Sequence, residues 1–213
     1  MPSNTLTIAC AKGYLWHQAM AYLHGLGFHF DNDLNESRQL STIDTSGRIQ
    51  LFKVRPWDVP VYVEEGAADI GIVGKDVLLE QSSDVMELLD LKFGGCRLVL
   101  AGPPETKHAY LEHNIRVATK YQASTLRYFQ HKSIRCIPIK LYGAMELAPV
   151  TGVADIICDL SASGQTLKDN GLIEYDTVFE STARLVANRA SMMTRYEDIL
   201  AIYTGIREQL PAE

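Results

Sequence analysis

The chain has little that would tie it to a disulfide scaffold, a nucleic acid or a membrane. Its four cysteines, Cys10, Cys96, Cys136 and Cys158, are far apart and form no CxxC. Neither a zinc knuckle nor a redox pair is therefore expected. Cys10 and Cys158 fall in apolar runs, which predicts buried free thiols in a reducing compartment. There is no basic excess; the formal charge is −6 over 213 residues. A general nucleic-acid binder carries a basic footprint, so that class is set aside. Small polyanionic ligands stay compatible, provided Lys and Arg gather locally. No apolar run reaches membrane-spanning length, and MPSNTLTIAC lacks the charged region and long apolar core of a secretory leader. A cytoplasmic protein with no membrane contact is the expectation. The six histidines show no metal-ligand spacing, and the ligands of any metal stay undefined. No complete GxGxxG occurs. Gly74-Lys75 is followed by Asp76, with no Gly five residues before Gly74, so a Walker loop is excluded too.

What is present is an alternation of strand and helix. The composition, 46% hydrophobic and 22% charged, suits one large domain or two small ones. TLTIAC, RIQLFKV, ADIGIVG, VMELLDL and CRLVLAGP read as strands, with helices over about 14–26, near Pro56–Pro60 and in KDVLLEQ. A second series begins at RVATKY. It continues through a helix over about 124–132, RCIPIKL, a helix near MELAPV and ADIICDL. Strand character returns at DTVFESTARLVAN, and a helix over about 195–208 closes the pattern. Alternating β and α units predict an α/β protein with mainly parallel sheets covered by helices. Two series predict two lobes with a ligand cleft between them. The boundaries expected are 1–94 plus 178–213 for the first lobe and 95–177 for the second.

One stretch carries most of the chemistry. ELAPVTGVADIICDLSASGQTL runs from Glu146 through a buried strand into the small, hydroxyl-rich turn Ser161, Ala162, Ser163, Gly164, Gln165, Thr166. An apolar strand fixes such a turn, small residues let the backbone approach a ligand, and the next helix starts with unpaired N–H groups. The residues alone support an anion site at a strand-to-helix turn, or an ordinary loop with a capping Ser or Thr.

The spacing goes further. Glu146, Gly152, Ala154, Ile157, Asp159, Leu160, Ser163, Gly164, Thr166 and Leu167 fall at the constrained positions of the ATP phosphoribosyltransferase signature, and the chain resembles that family. The central block RPWDVPVYVEEGAADIGIVGKDVLLE, DLKFGGCRLVLAG, RVATKY, KLYGAMELAP and STARLVAN extend the resemblance over nearly the whole chain. It implies a two-lobed, periplasmic-binding-protein-like fold whose C-terminal segment returns to the first lobe.

The resemblance also gives meaning to residues that are ambiguous alone. Lys12 and Gly13 follow the first strand directly; a surface turn is the plain reading, and a nucleotide contact is what the family implies. Tyr14 stands where the family usually has Arg, which removes one cation. Arg55, in R-x-x-D-V-P, and Arg38, in SRQL, read alone as solvated or ion-paired. The resemblance places both at the active site, where guanidinium forks suit departing pyrophosphate. Asp69, Ile70 and Gly71 are implied as further ATP contacts, with Arg97 a weaker one. Glu146 and Asp159 resemble an acid/base pair, but the family nucleophile, N1 of adenine, already has a free lone pair. Orienting ribose hydroxyls, or placing Mg2+ through water, suits these acids better.

The implied reaction joins ATP and 5-phosphoribosyl 1-pyrophosphate, with Mg2+, into N1-(5-phosphoribosyl)-ATP and pyrophosphate, the first step of histidine biosynthesis. The chain resembles the short catalytic form. That implies a homodimer within a hetero-oligomer containing a histidyl-tRNA-synthetase-like regulatory subunit. A non-catalytic bilobal anion-binding module, and a phosphoribosyltransferase acting on another base, stand as alternatives.

Overall fold

The computed structural model describes residues 5–31, 34, 38–107, 111 and 114–211. In chain order its strands are β1 (Leu6–Ala11), β2 (Ser41–Ile43), β3 (Ile49–Val54), β4 (Ile70–Gly74), β5 (Met86–Asp90), β6 (Cys96–Gly102), β7 (Ile115–Thr119), β8 (Cys136–Lys140), β9 (Ile156–Ser161), β10 (Ile173–Ser181) and β11 (Ala183–Ala187). Its helices are α1 (Trp16–Gly25), α2 (Val59–Glu64), α3 (Lys75–Gln81), α4 (Gln122–His131), α5 (Leu147–Val150), α6 (Gln165–Asp169), α7 (Arg189–Thr194) and α8 (Tyr196–Gln209). Two compact units result. One takes the chain up to Leu78, Ser82–Gly94 and Thr182 onward; the other takes Leu79–Gln81 and Gly95–Ser181.

The first unit is a six-stranded sheet in the order β2-β3-β1-β4-β11-β5. Side chains alternate across a strand, and β1 shows the result. Leu6, Ile8 and Cys10 pack with Trp16 and Leu23 of α1 and with Ile199, Ile202 and Ile206 of α8. Ala9 and Ala11 pack on the other face with Val59 and Val63 of α2 and Val77 of α3. The second unit is a five-stranded sheet in the order β10-β6-β9-β7-β8. Its β9 is paired on both sides and its Ile156, Ile157 and Cys158 are fully buried, which is why ADIICDL reads as an uninterrupted apolar run.

Two α/β units are present, with 79–81 and 178–181 in the second rather than the first, and the sheets are mixed rather than mainly parallel. β3, β1 and β4 are parallel, as are β9, β7 and β8. β2, β11, β5, β10 and β6 pair antiparallel. β10 runs into β11 with Thr182 alone between them, yet the two strands belong to different sheets. DTVFESTARLVAN is thus two strands in two sheets. The sequence reading also passes over α7, whose N-cap Asn188 accepts from the Ser191 N–H at 2.9 Å.

The cysteines behave as expected. Cys10, Cys136 and Cys158 are buried and all four are free. Burial pushes the Cys10 and Cys158 thiols up to about 12, so neither supplies thiolate at neutral pH.

Candidate functional site

The turn after β9 lines a concave space of about 160 Å³ bounded by Glu146, Asp159 and every residue from Leu160 to Leu167. The structure thus gathers the whole predicted set of Glu146, Asp159, Ser161, Ala162, Ser163, Gly164, Gln165 and Thr166 around one cavity. Gly164 has φ +74°, a left-handed conformation open to glycine at little cost. α6 is only five residues long, so a helix dipole adds less here than the sequence reading supposes. The donors that matter are the backbone N–H groups and hydroxyls of the turn. Ser163 Oγ already accepts from the Gln165 N–H at 3.3 Å, which leaves its proton available.

Asp159 is half-buried at the cavity wall. Burial raises its pKa; Glu146 raises it further, while the Leu160 N–H and Lys120 pull it down. The Leu160 N–H donates to Asp159 Oδ1 at 2.9 Å. Two carboxylates facing one small cavity repel each other, so the site gains from a cation or from hydroxyl donors on a ligand. Among the described residues no group of three or more His, Cys, Asp or Glu is placed to hold a metal ion. The donor set at the turn is two carboxylates with neighbouring hydroxyls, which fits Mg2+ carried in on substrate phosphates.

The sequence reading did not single out Lys120, whose charge acts on Asp159. The signal was available: Lys120 follows β7 directly, as Lys12 follows β1.

In the first unit, Lys12, Gly13 and Arg55 lie at one sheet edge. β1 and β3 are parallel with Ala11 opposite Val54, and the Lys12 N–H donates to the Val54 carbonyl at 2.9 Å. Lys12 and Arg55 therefore leave the carboxyl ends of adjacent strands, the edge where open α/β sheets bind ligands. Both are exposed. Gly13 has φ +88°, which turns the chain into α1. Arg38 is exposed as well. Tyr14, at 77% exposure, brings no charge to this loop.

Asp69, Ile70 and Gly71 do not reach that edge. They sit at the amino end of β4, and all three are buried. The Asp69 carboxylate accepts from the Thr7 N–H (2.8 Å), Thr7 Oγ1 (2.7 Å), Ser191 Oγ (2.7 Å) and Arg195 Nη1 (3.2 Å). It ties α7 and α8 to β1, and a nucleotide would have to break these bonds to reach it. Ile70 is in the core. A Cβ on Gly71 would come within 2.8 Å of Val63 and 2.9 Å of Val59, so the glycine admits α2 rather than a ligand.

Arg97, the weaker ATP contact that the family resemblance implies, belongs to the other unit. It lies on β6 in the second unit, opposite Ser161 in register. Its guanidinium pairs with Glu174 at 3.0 and 3.1 Å.

Residues 55–208 match the family model described as HisG: ATP phosphoribosyltransferase. An ATP phosphoribosyltransferase of Caldanaerobacter subterraneus subsp. tengcongensis is 44% identical over 205 residues, covering 96% of this chain and 97% of its own. One from Geobacter metallireducens is 43% identical over 211 residues, covering 98% and 100%. Among solved structures, the ATP phosphoribosyl transferase (HisG:HisZ) complex from Thermotoga maritima contains a chain that superposes with a TM-score of 0.83 at 34% identity. The match covers 96% of this chain and 98% of that one.

Proposed function

The chain belongs to the ATP phosphoribosyltransferase family, and from that premise we propose how its residues divide the reaction. The enzyme moves a 5-phosphoribosyl group from 5-phosphoribosyl 1-pyrophosphate to ATP, the first step of histidine biosynthesis. The observation that carries the assignment of roles is the turn itself: hydroxyls, backbone N–H groups and a left-handed Gly164 close on one cavity beside Glu146 and Asp159.

The 5-phosphate is held by the backbone and hydroxyls of Ser163–Thr166. Glu146 and Asp159 accept from the ribose hydroxyls, which offsets their mutual repulsion. They are also the residues that would hold Mg2+ on the diphosphate, where the ion supplies neutralisation of phosphate charge. N1 of adenine attacks the anomeric carbon with its own lone pair, so no side chain needs to remove a proton beforehand. The bond to pyrophosphate breaks as the N1–C1′ bond forms, and negative charge gathers on the departing oxygens. Arg55, assisted by Arg38, donates to that charge; preorganised donors of this kind give roughly hundredfold or more in rate. Lys12 and the Gly13 backbone serve the triphosphate of ATP.

For assembly, we infer a homodimer that joins a histidyl-tRNA-synthetase-like regulatory subunit. The Thermotoga maritima relative, solved as a HisG:HisZ complex, supports a hetero-oligomer of this kind.

The test is formation of N1-(5-phosphoribosyl)-ATP from ATP, 5-phosphoribosyl 1-pyrophosphate and Mg2+, with pyrophosphatase present. The purified chain is assayed alone and with its regulatory subunit. Product in either case supports the reading; no product in both overturns it.

A further inference from the structure

We propose that Glu174 is a positioning residue of the phosphoribosyl site and that Arg97, which it holds, serves phosphate there. The inference rests on reading Ser163–Thr166 as the phosphate turn. Glu174 is on β10, Arg97 on β6 and Ser161 on β9, and these three strands are consecutive in the sheet. Glu174 Oε1 accepts from Ser161 Oγ at 3.2 Å and from Arg97 Nη2 at 3.1 Å. Its Oε2 faces Arg97 Nη1 at 3.0 Å. A Cβ on Gly164 would lie 3.1 Å from Oε1, so the same carboxylate rests against the backbone of the turn. One acid therefore touches the strand end, the glycine and the cation.

Two consequences follow from donor counting. A serine hydroxyl has one proton, and Ser161 directs its own to Glu174. Ser161 thus presents only lone pairs to the turn, and phosphate must be held by the other donors. Arg97 has five N–H groups in a fixed fork. Two point to Glu174, and Thr177 Oγ1 lies 3.5 Å from Nη1. A guanidinium pinned beside the turn with donors unspent is a preorganised phosphate-binding group. Without Glu174 the cation would remain but would no longer be fixed.

Glu174→Gln removes the charge at nearly constant shape. The folded chain is titrated with 5-phosphoribosyl 1-pyrophosphate and, separately, with ATP by calorimetry. We expect Kd for 5-phosphoribosyl 1-pyrophosphate to rise about tenfold, the scale of one lost charge-assisted contact, with ATP affinity changed less than about twofold. In turnover the loss falls on KM for 5-phosphoribosyl 1-pyrophosphate, with kcat nearly kept. In an Arg97→Ala background, Glu174→Gln should add almost nothing, because it acts through Arg97. Additive losses, equal weakening of ATP, or a fall in melting temperature that tracks the affinity loss would make Glu174 merely structural and overturn the inference. Gly164→Ala and Thr166→Val separate this from the site reading. If both leave 5-phosphoribosyl 1-pyrophosphate binding unchanged, the turn is not the phosphate site and both readings fall. If they weaken binding while Glu174→Gln does not, only the role of Glu174 falls.

Discussion

The Lys53 N–H donates to the Leu40 carbonyl at 2.8 Å, which carries the antiparallel register of Ser41 with Phe52 one step past the end of β2. Arg55 follows two residues after Lys53, just beyond the carboxyl end of β3, and is exposed there. Arg55→Ala should lower kcat by roughly hundredfold, about 3 kcal/mol of transition-state stabilisation, while the Kd values of both substrates change far less. Arg55→Lys should recover only part of the rate, because a point charge replaces a fork. Presteady-state turnover measures this; an unchanged chemical step in Arg55→Ala would remove Arg55 from its role.

Asp159 should set an acid limb on substrate binding. Burial, with Glu146 behind it, raises its pKa, so it loses charge at a higher pH than an ordinary aspartate. KM for 5-phosphoribosyl 1-pyrophosphate should rise as pH falls through that raised value, and Asp159→Asn should remove this dependence while weakening binding at neutral pH. The stability effect has the opposite sign. An acid whose folded pKa is raised costs the fold stability as pH climbs from the unfolded value through the folded one. Asp159→Asn should therefore raise the melting temperature of the substrate-free chain at neutral pH. That gain should vanish below the ordinary aspartate range, where both chains are neutral at this position. Thermal melts across pH check both signs.

Asp69 should matter to stability and not to ATP. It is buried with four donors, one of them the Arg195 guanidinium. Removing one partner of such a pair strands the other, so Asp69→Ala should cost on the order of 3 kcal/mol by denaturant unfolding. The surviving folded protein should bind ATP normally. A selective loss of ATP affinity with full stability would return Asp69 to the site.

Gly164→Ala should damage the turn in two ways. The residue must leave or endure φ +74°, and its Cβ meets Glu174 Oε1 at 3.1 Å. A left-handed non-glycine costs about 1–2 kcal/mol, and the loss should appear mainly as weaker 5-phosphoribosyl 1-pyrophosphate binding. Calorimetric titration of that ligand reads it directly.

The grouping of the turn residues around one cavity was legible because they are contiguous. Glu146 to Leu167 is one run of chain, and it supplies every residue that lines the cavity. The strand-Lys pattern at Lys12 was legible for the same reason. The place of Asp69 was not legible because ADIGIVG looks the same whichever end of the strand is considered; only the pairing of β4 with β1 and β11 sets its edge. Glu174 had no local signal at all. It lies in IEYDTVFES, an exposed-looking strand, and meets Arg97 at a separation of 77 residues. The mixed sheets were hidden likewise, since strand direction is decided by connections rather than by the strand's own residues. The short α7 was marked only by its capping Asn188.

β11 sits between β4 and β5 in the first sheet, yet it is made last of all the strands. While the chain is being synthesised, β4 and β5 wait with the place between them empty until residues 183–187 emerge. By then all of the second unit, 79–81 and 95–181, has already been made. The first unit to begin is therefore the last to be completed, and until β11 arrives it presents an unpaired edge of buried-type residues, Ile70 to Gly74, to any neighbouring chain.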